Sequence, residues 1–121
     1  MPPTEVIFYA EADGTCPLLA WLDRLPLKVQ DKCVVRIERL AELGHELRRP
    51  EADTLRDGIH ELRASYQGVQ YRMLYFFFAG AAVLAHGIVK ERKVPDADIR
   101  RAIERRAAYE ADPELHTYRE P

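Results

Sequence analysis

Cysteines and long apolar runs are scarce in this sequence. Its two cysteines, Cys16 and Cys33, lie far apart and lack the spacing of metal ligands, and a cytosolic protein would keep both reduced. No apolar stretch reaches the roughly 18 residues of a membrane span, because Gly80 interrupts the longest candidate. The first residues, Met-Pro-Pro-Thr-Glu, lack the basic and apolar regions of a signal peptide. We therefore expect a cytoplasmic protein that does not contact a membrane.

Motifs of nucleotide and metal enzymes are absent as well. The sequence has no Walker loop, zinc spacing, dinucleotide fingerprint or serine-triad motif, so we expect neither a metal nor a cofactor. A composition of 47% hydrophobic and 31% charged residues over 121 positions is typical of one folded domain. Residues 55–106 carry ten basic and six acidic side chains, whereas both flanking segments are net acidic. A basic middle is compatible with a phosphate-binding surface, although segments of this length also differ by chance.

The first half of the chain predicts one strand and two helices. Glu5–Ala10 is rich in β-branched and aromatic residues and predicts the strand. Pro17 starts a short helix, and apolar residues at spacings of three and four predict a second helix over Leu27–Leu43. Gly44 follows where a left-handed helix cap belongs. Residues 45–57 are polar and predict a connection.

The second half predicts a sheet and a last helix. Short turns separate three predicted strands, which are therefore antiparallel: Ile59–Ser65, Gln70–Phe78 and Ala82–Val89. The middle strand is apolar on both faces, which is typical of a central strand. Pro95 starts the last helix, and residues 111–121 predict a loose acidic tail that could fold back over a basic groove. The predicted order is β-α-α-β-β-β-α, an α+β domain in which a helical hairpin packs on a small, twisted, mostly antiparallel sheet.

Three motifs in the second half resemble the RelE/HigB toxin superfamily, in its phage-derived HigB-like branch. They are Leu55-Arg-Asp-Gly58-Ile-His-Glu61-Leu62-Arg63, Tyr71-Arg72-Met73-Leu74-Tyr75 and Val83-Leu84-Ala85-His86-Gly87-Ile88-Val89-Lys90. Val94-Pro95 and the helix after it resemble the family's last segment. The resemblance implies a RelE-like fold over residues 1–110, with the tail outside it.

The resemblance also implies a function. Such proteins are toxins of type II toxin–antitoxin systems, neutralised by a small antitoxin that is often a helix-turn-helix protein. Many cut messenger RNA on the translating ribosome without a metal or cofactor, and so inhibit growth. Two alternatives stay open, because one fold hosts several functions. Toxins resembling ParE block DNA gyrase and cleave nothing, and a phage-derived domain could also be a non-catalytic interaction module.

Four residues are candidates for the chemistry of RNA cleavage. Such cleavage needs a general base, a general acid and fixed cations around the phosphate. Arg63 and Arg72 on neighbouring predicted strands and Lys90 after the last strand offer the cations, and His86 offers an imidazole for proton transfer. Each has a structural alternative: Arg63 could form an ion pair with Glu61, and His86 could be a core histidine.

Four further residues are candidates for RNA binding. Arg92 and Lys93 could contact phosphates, although loop charges are often only solvated. Tyr75 could stack on a base, although a tyrosine in this pattern is more often part of the core. His60 lies next to the Glu-Leu-Arg segment and could orient RNA.

Overall fold

The computed structural model describes residues 3–89 and 92–121 and shows an α+β domain. Along this part of the chain the strands are Val6–Phe8 (β1), Ala52–Arg56 (β2), Ile59–Tyr66 (β3), Val69–Phe78 (β4) and Ala81–Val89 (β5). The helices are Pro17–Asp23 (α1), Leu27–Leu43 (α2), Asp96–Ala111 (α3) and Pro113–His116 (α4). The strand order is β1-β5-β4-β3-β2, with β1 parallel to β5 and the other pairs antiparallel. Within the described ranges no helix is long and apolar enough to cross a membrane.

Strand β4 lies at the centre of the sheet and buries side chains on both faces, which confirms its predicted position. On one face, Met73 and Tyr75 pack against helices α1 and α2, and we call this the hairpin face. On the other face, Leu74 and Phe76 pack in a second cluster with residues of α3, and we call this the α3 face. The sheet is therefore covered by the helical hairpin on one side and by α3 on the other.

The predicted turns are confirmed, whereas the predicted left-handed cap is confirmed only in its positive φ, because Gly44 has a ψ of −123°. Gln67-Gly68 and Ala79-Gly80 are two-residue turns with positive φ at both positions, which suits the twist of antiparallel strands. Helix α2 spans Leu27–Leu43, and Gly44 after it adopts a φ of 53°. A Cβ atom at Gly44 would lie 2.2 Å from Thr4 Oγ1, so this position requires glycine.

The prediction of a polar connection over residues 45–57 is wrong in part, because the segment contains strand β2. This strand lies at the edge of the sheet and pairs only with β3. Ala52 is its one fully buried residue, and the remaining positions are half-buried or exposed. An edge strand with one buried residue lacks the apolar alternation that marks a strand in a sequence.

The prediction of a loose acidic tail is wrong, because the residues after Glu110 complete α3, form α4 and cover β1. The Ala10 N–H donates to the His116 carbonyl, and the Tyr118 N–H donates to the Phe8 carbonyl, both at 2.8 Å. The tail therefore lies at the β1 edge of the sheet rather than over β3 and β4. The division of the chain at residue 110 stays a prediction.

Candidate functional site

Two of the predicted arginines face each other on the α3 face of the sheet. Arg63 on β3 is the direct cross-strand partner of Arg72 on β4. Glu61 shares this face with Arg63, because the two residues are separated by one position on the same strand. Asp53 on the edge strand is the cross-strand partner of Glu61. We call Asp53, Glu61, Arg63 and Arg72 the arginine cluster.

Glu61 holds both arginines. Its carboxylate accepts a hydrogen bond from Arg72 Nη1 at 2.9 Å and lies 3.4 Å from Arg63 Nε. Arg63 also donates from Nη2 to Asp53 Oδ2 at 3.0 Å. Glu61 is 1% exposed, whereas the side chains of Arg72 and Arg63 are 11% and 30% exposed. Arg63 therefore pairs with Glu61, as the alternative expected, but the carboxylate is buried and the pair is not a surface pair. Arg63 is the member of the cluster most open to solvent.

The arginine cluster keeps unused hydrogen-bond donors. The Nε atoms of Arg63 and Arg72 are buried and have no hydrogen-bond partner within residues 3–89 and 92–121. Burial raises the pKa of the Asp53 carboxyl, but the hydrogen bonds from the Thr54 N–H and from neighbouring arginines outweigh it and lower that pKa below its usual value. Asp53 also pairs with Arg49, at 2.9 Å, so the two carboxylates are shared by three guanidinium groups. An incoming phosphate would have to compete with those carboxylates for the arginines.

His86 on β5 lies beneath α3. A β-bulge next to its partner Leu74 places Leu84 on the hairpin face, whereas His86 faces Asp98 of α3. His86 is 6% exposed, and its Nε2 lies 3.5 Å from Asp98 Oδ1, which is long for a hydrogen bond. Burial, together with the charge of Arg105, lowers the pKa of His86 to about 4. The imidazole is therefore neutral near neutral pH, and RNA would reach it only if α3 moved.

Three predicted cations belong to the connection between β5 and α3. Lys90 lies outside the described residues, so its predicted role stays a prediction. Arg92 and Lys93 are exposed. Val94 after them is buried in the core of the α3 face, which fixes this end of the connection. Arg92 and Lys93 are therefore presented to solvent from an anchored segment.

His60 and Tyr75 lie on the hairpin face, on the opposite side of the sheet from the arginine cluster. They are direct cross-strand partners, and their rings stack with centroids 5.2 Å apart. Tyr75 is 2% exposed, and burial, with a smaller effect of the Glu61 charge, raises its pKa to about 12. The hydroxyl therefore stays protonated, and the ring is covered. This placement agrees with the alternative in which Tyr75 belongs to the core.

His60 borders a cleft of about 270 Å³ on the hairpin face. We call it the histidine cleft, and its polar and aromatic lining includes His45, Arg48, Arg49, Thr54, His60 and Phe77. The His45 ring stacks on Phe77 with centroids 3.6 Å apart, and the His60 ring meets Phe77 edge-on at 5.3 Å. Burial, with a smaller effect of His45, lowers the pKa of His60.

Sequence reasoning missed Asp53 and His45. The sequence predicts a connection where strand β2 lies, and Asp53 reaches Arg63 only because it belongs to that strand. His45 lies in a short 3₁₀ turn, Gly44–Glu46, directly after α2. The signal that could have found His45 is weak: it follows a predicted helix end, and such ends often turn back onto the sheet.

Comparison with known proteins identifies the family. Residues 20–107 match the family described as phage-derived protein Gp49-like (DUF891). The match spans most of the chain and includes the arginine cluster and the histidine cleft. The chain therefore belongs to this Gp49-like family, a toxin-like family of the RelE/HigB type. No curated protein matches the chain.

Proposed function

We propose that this chain is the toxin of a type II toxin–antitoxin pair and that it cleaves messenger RNA without a metal ion. Family membership supports the toxin part of the proposal. One observation carries the RNA part: Arg63 and Arg72 face each other across two strands and are held by one buried carboxylate, Glu61. Guanidinium groups fixed in advance stabilise the negative charge that develops on a phosphate during cleavage.

The proposed reaction uses the RNA's own 2′-hydroxyl. The 2′-oxygen loses its proton and attacks the adjacent phosphorus, the bond from phosphorus to the 5′-oxygen breaks, and that oxygen takes up a proton. The products are a 2′,3′-cyclic phosphate and a 5′-hydroxyl. In this proposal Arg63 contacts a non-bridging phosphate oxygen, because its side chain is 30% exposed, and Arg72 supports it from the more buried position.

Proton transfer in this proposal requires a conformational change. His86 stays the predicted group, and its neutral imidazole is the form that a general base requires. Its burial beneath α3 means that α3 must move when RNA binds. Lys90 is predicted to assist, and Arg92 and Lys93 to hold flanking phosphates.

Helix α3 offers candidate contacts for the proposed partners. Helix α3 carries four arginines, of which Arg100 has a side chain 68% exposed. The helix also carries four acidic residues, so it has no net charge, and Arg100 is paired with Asp96 at 3.1 Å. We propose ribosomal RNA and a helix-turn-helix antitoxin as partners, with the exposed arginines of α3 as candidate contacts. The proposed site of action is the translating ribosome in the cytoplasm.

One observation favours a second candidate function. Glu61 and Asp53 balance Arg63 and Arg72, and Asp53 also binds Arg49, so the three arginines and two carboxylates together carry an excess of only one positive charge. A site that binds RNA by its phosphates usually presents a larger excess of cations. A toxin that binds DNA gyrase and cleaves nothing, resembling ParE, needs no such excess.

Inducible expression in bacteria with mapping of messenger RNA 5′ ends tests the proposal. Wild-type protein should arrest growth and produce new 5′ ends at regular codon positions, and Arg63→Gln should abolish both. Arg39→Gln is the matched control, since Arg39 is 38% exposed and bound to Glu51 at 3.0 Å on the hairpin side. Arrest with intact messages and damaged DNA would favour the gyrase candidate.

A further inference from the structure

We propose that the histidine cleft is a second ligand site, which binds a nucleoside phosphate either as a free nucleotide or as one nucleotide of a single-stranded RNA. Its aromatic residues lie on the hairpin face, whereas Glu61, Arg63 and Arg72 lie on the α3 face of the same sheet. Asp53 on the edge strand lines the cleft and also binds Arg63. The inference does not depend on RNA cleavage at the arginine cluster. Three features carry it: an available cation, an available aromatic surface and a fixed imidazole.

Arg48 is the available cation. It is exposed, and no carboxylate of the described chain lies within 4 Å of its guanidinium group. Its neighbour Arg49 is already engaged, because Nη2 lies 2.9 Å from Asp53 Oδ2. The backbone at Arg48 is anchored, since its carbonyl accepts hydrogen bonds from the N–H groups of Glu51 and Ala52, both at 3.1 Å. An exposed guanidinium that lines a cleft, on a backbone held by hydrogen bonds, suits a phosphate group.

His45 and Phe77 supply the aromatic surface. One face of the His45 ring lies against Phe77 at a centroid distance of 3.6 Å, with 21° between the planes. His45 is an exposed residue, which leaves it accessible to a flat ligand. Nucleobases stack on such rings regardless of sequence, since every base has a π-face. His45 and Arg48 line the same cleft, so a nucleotide bound there could place its base on His45 and its phosphate at Arg48.

His60 supplies a fixed polar group inside the cleft. Its Nδ1 lies 3.1 Å from Thr54 Oγ1, and its ring is held between Tyr75 and Phe77. An imidazole held in this way can donate to or accept from the edge of a base. The cleft volume of about 270 Å³ is slightly below the range usual for small-molecule pockets, so the cleft has room for at most one nucleotide.

Binding of 2′-deoxyuridine 5′-monophosphate and of a short deoxyuridine oligomer tests the inference. Neither probe can be cleaved, because both lack the 2′-hydroxyl, so the result is independent of nuclease activity. The imidazole resonances of His45 and His60 in the NMR spectrum report binding at the cleft. Arg48→Ala should weaken binding about tenfold, since a charged hydrogen bond is lost. Arg24→Ala is the matched control, because Arg24 is an exposed arginine at the end of α1.

The outcomes distinguish a free-nucleotide site from an RNA-chain site, and both from the absence of a site. Saturable shifts of His45 and His60 with the mononucleotide, weakened by Arg48→Ala but not by Arg24→Ala, support a free-nucleotide site. The same pattern with the oligomer alone supports an RNA-chain site. The inference is overturned if neither probe moves these resonances, if Arg48→Ala binds as tightly as wild type, or if inorganic phosphate binds as tightly as the mononucleotide.

Discussion

Replacing Glu61 by leucine should destabilise the protein far more than replacing an exposed carboxylate. Glu61 is 1% exposed and binds Arg72 at 2.9 Å, and the Arg72 side chain is itself 11% exposed. Removing one member of a buried ion pair leaves the other charge buried and unpaired, which costs about 3–5 kcal/mol. We expect a loss of about 3 kcal/mol in the free energy of unfolding, at the low end, because leucine refills much of the vacated volume.

The double variant Glu61→Leu, Arg72→Met should recover most of that loss. Replacing a whole buried pair by apolar side chains of similar volume is often neutral or stabilising. Arg63 keeps Asp53 as its partner at 3.0 Å, so it is not left unpaired. We expect the free energy of unfolding of the double variant to lie within about 1.5 kcal/mol of the wild-type value. The effects of the two single substitutions should therefore not add up to the effect of the double variant.

Urea unfolding at neutral pH, followed by circular dichroism, measures these free energies. Glu42→Leu is the matched control, because Glu42 has a side chain 62% exposed and lies 3.6 Å from Arg39 in a surface pair. Such a pair is worth at most about 1 kcal/mol. The reasoning is refuted if the free energy of unfolding of Glu61→Leu lies within about 1 kcal/mol of the wild-type value. It is also refuted if the effects of the two single substitutions simply add in the double variant.

Three further predictions concern stability. The free energy of unfolding should fall by about 3 kcal/mol as the pH drops from about 6.5 to about 4, because unfolded His86 takes up a proton that the folded protein excludes; His86→Leu should flatten this part of a pH series of urea titrations. Gly87→Ala should cost about 1–3 kcal/mol, since its Cβ would lie 2.2 Å from the Trp21 ring; an unchanged thermal midpoint would contradict it. Deleting residues 112–121 should uncover Tyr9, which is 2% exposed, and remove the hydrogen bond from Tyr118, at a cost of about 3 kcal/mol; equal urea midpoints for both chains would refute this.

Much of the fold could be predicted from local signals. The bounds of α2 and the turns at Gln67-Gly68 and Ala79-Gly80 follow from periodicity and turn chemistry, which short segments of sequence carry. Strand β2 and helix α4 could not be predicted in the same way. β2 depends on an open edge of β3, and α4 on the edge of β1, and neither edge is visible in the segment itself.

The sequence could identify most of the residues of the candidate site, but only part of their arrangement in space. The cross-strand pairing of Arg63 with Arg72 follows from the hairpin register, so adjacent arginines could be expected. The depth of His86 depends on a β-bulge and on how α3 packs, which the alternation of its neighbours does not specify. The histidine cleft joins residues from the end of α2, from β2 and from β4, so only the tertiary fold brings them together.

The most direct test of the proposed function is primer extension on a message translated in a reconstituted system to which the purified protein is added. Cleavage should produce 3′ fragments with 5′-hydroxyl ends, detected as new primer-extension stops, and Arg63→Gln should abolish them. An intact message, with a protein that is folded by circular dichroism and still arrests growth when expressed, would contradict the nuclease proposal and leave the toxin family membership as it stands.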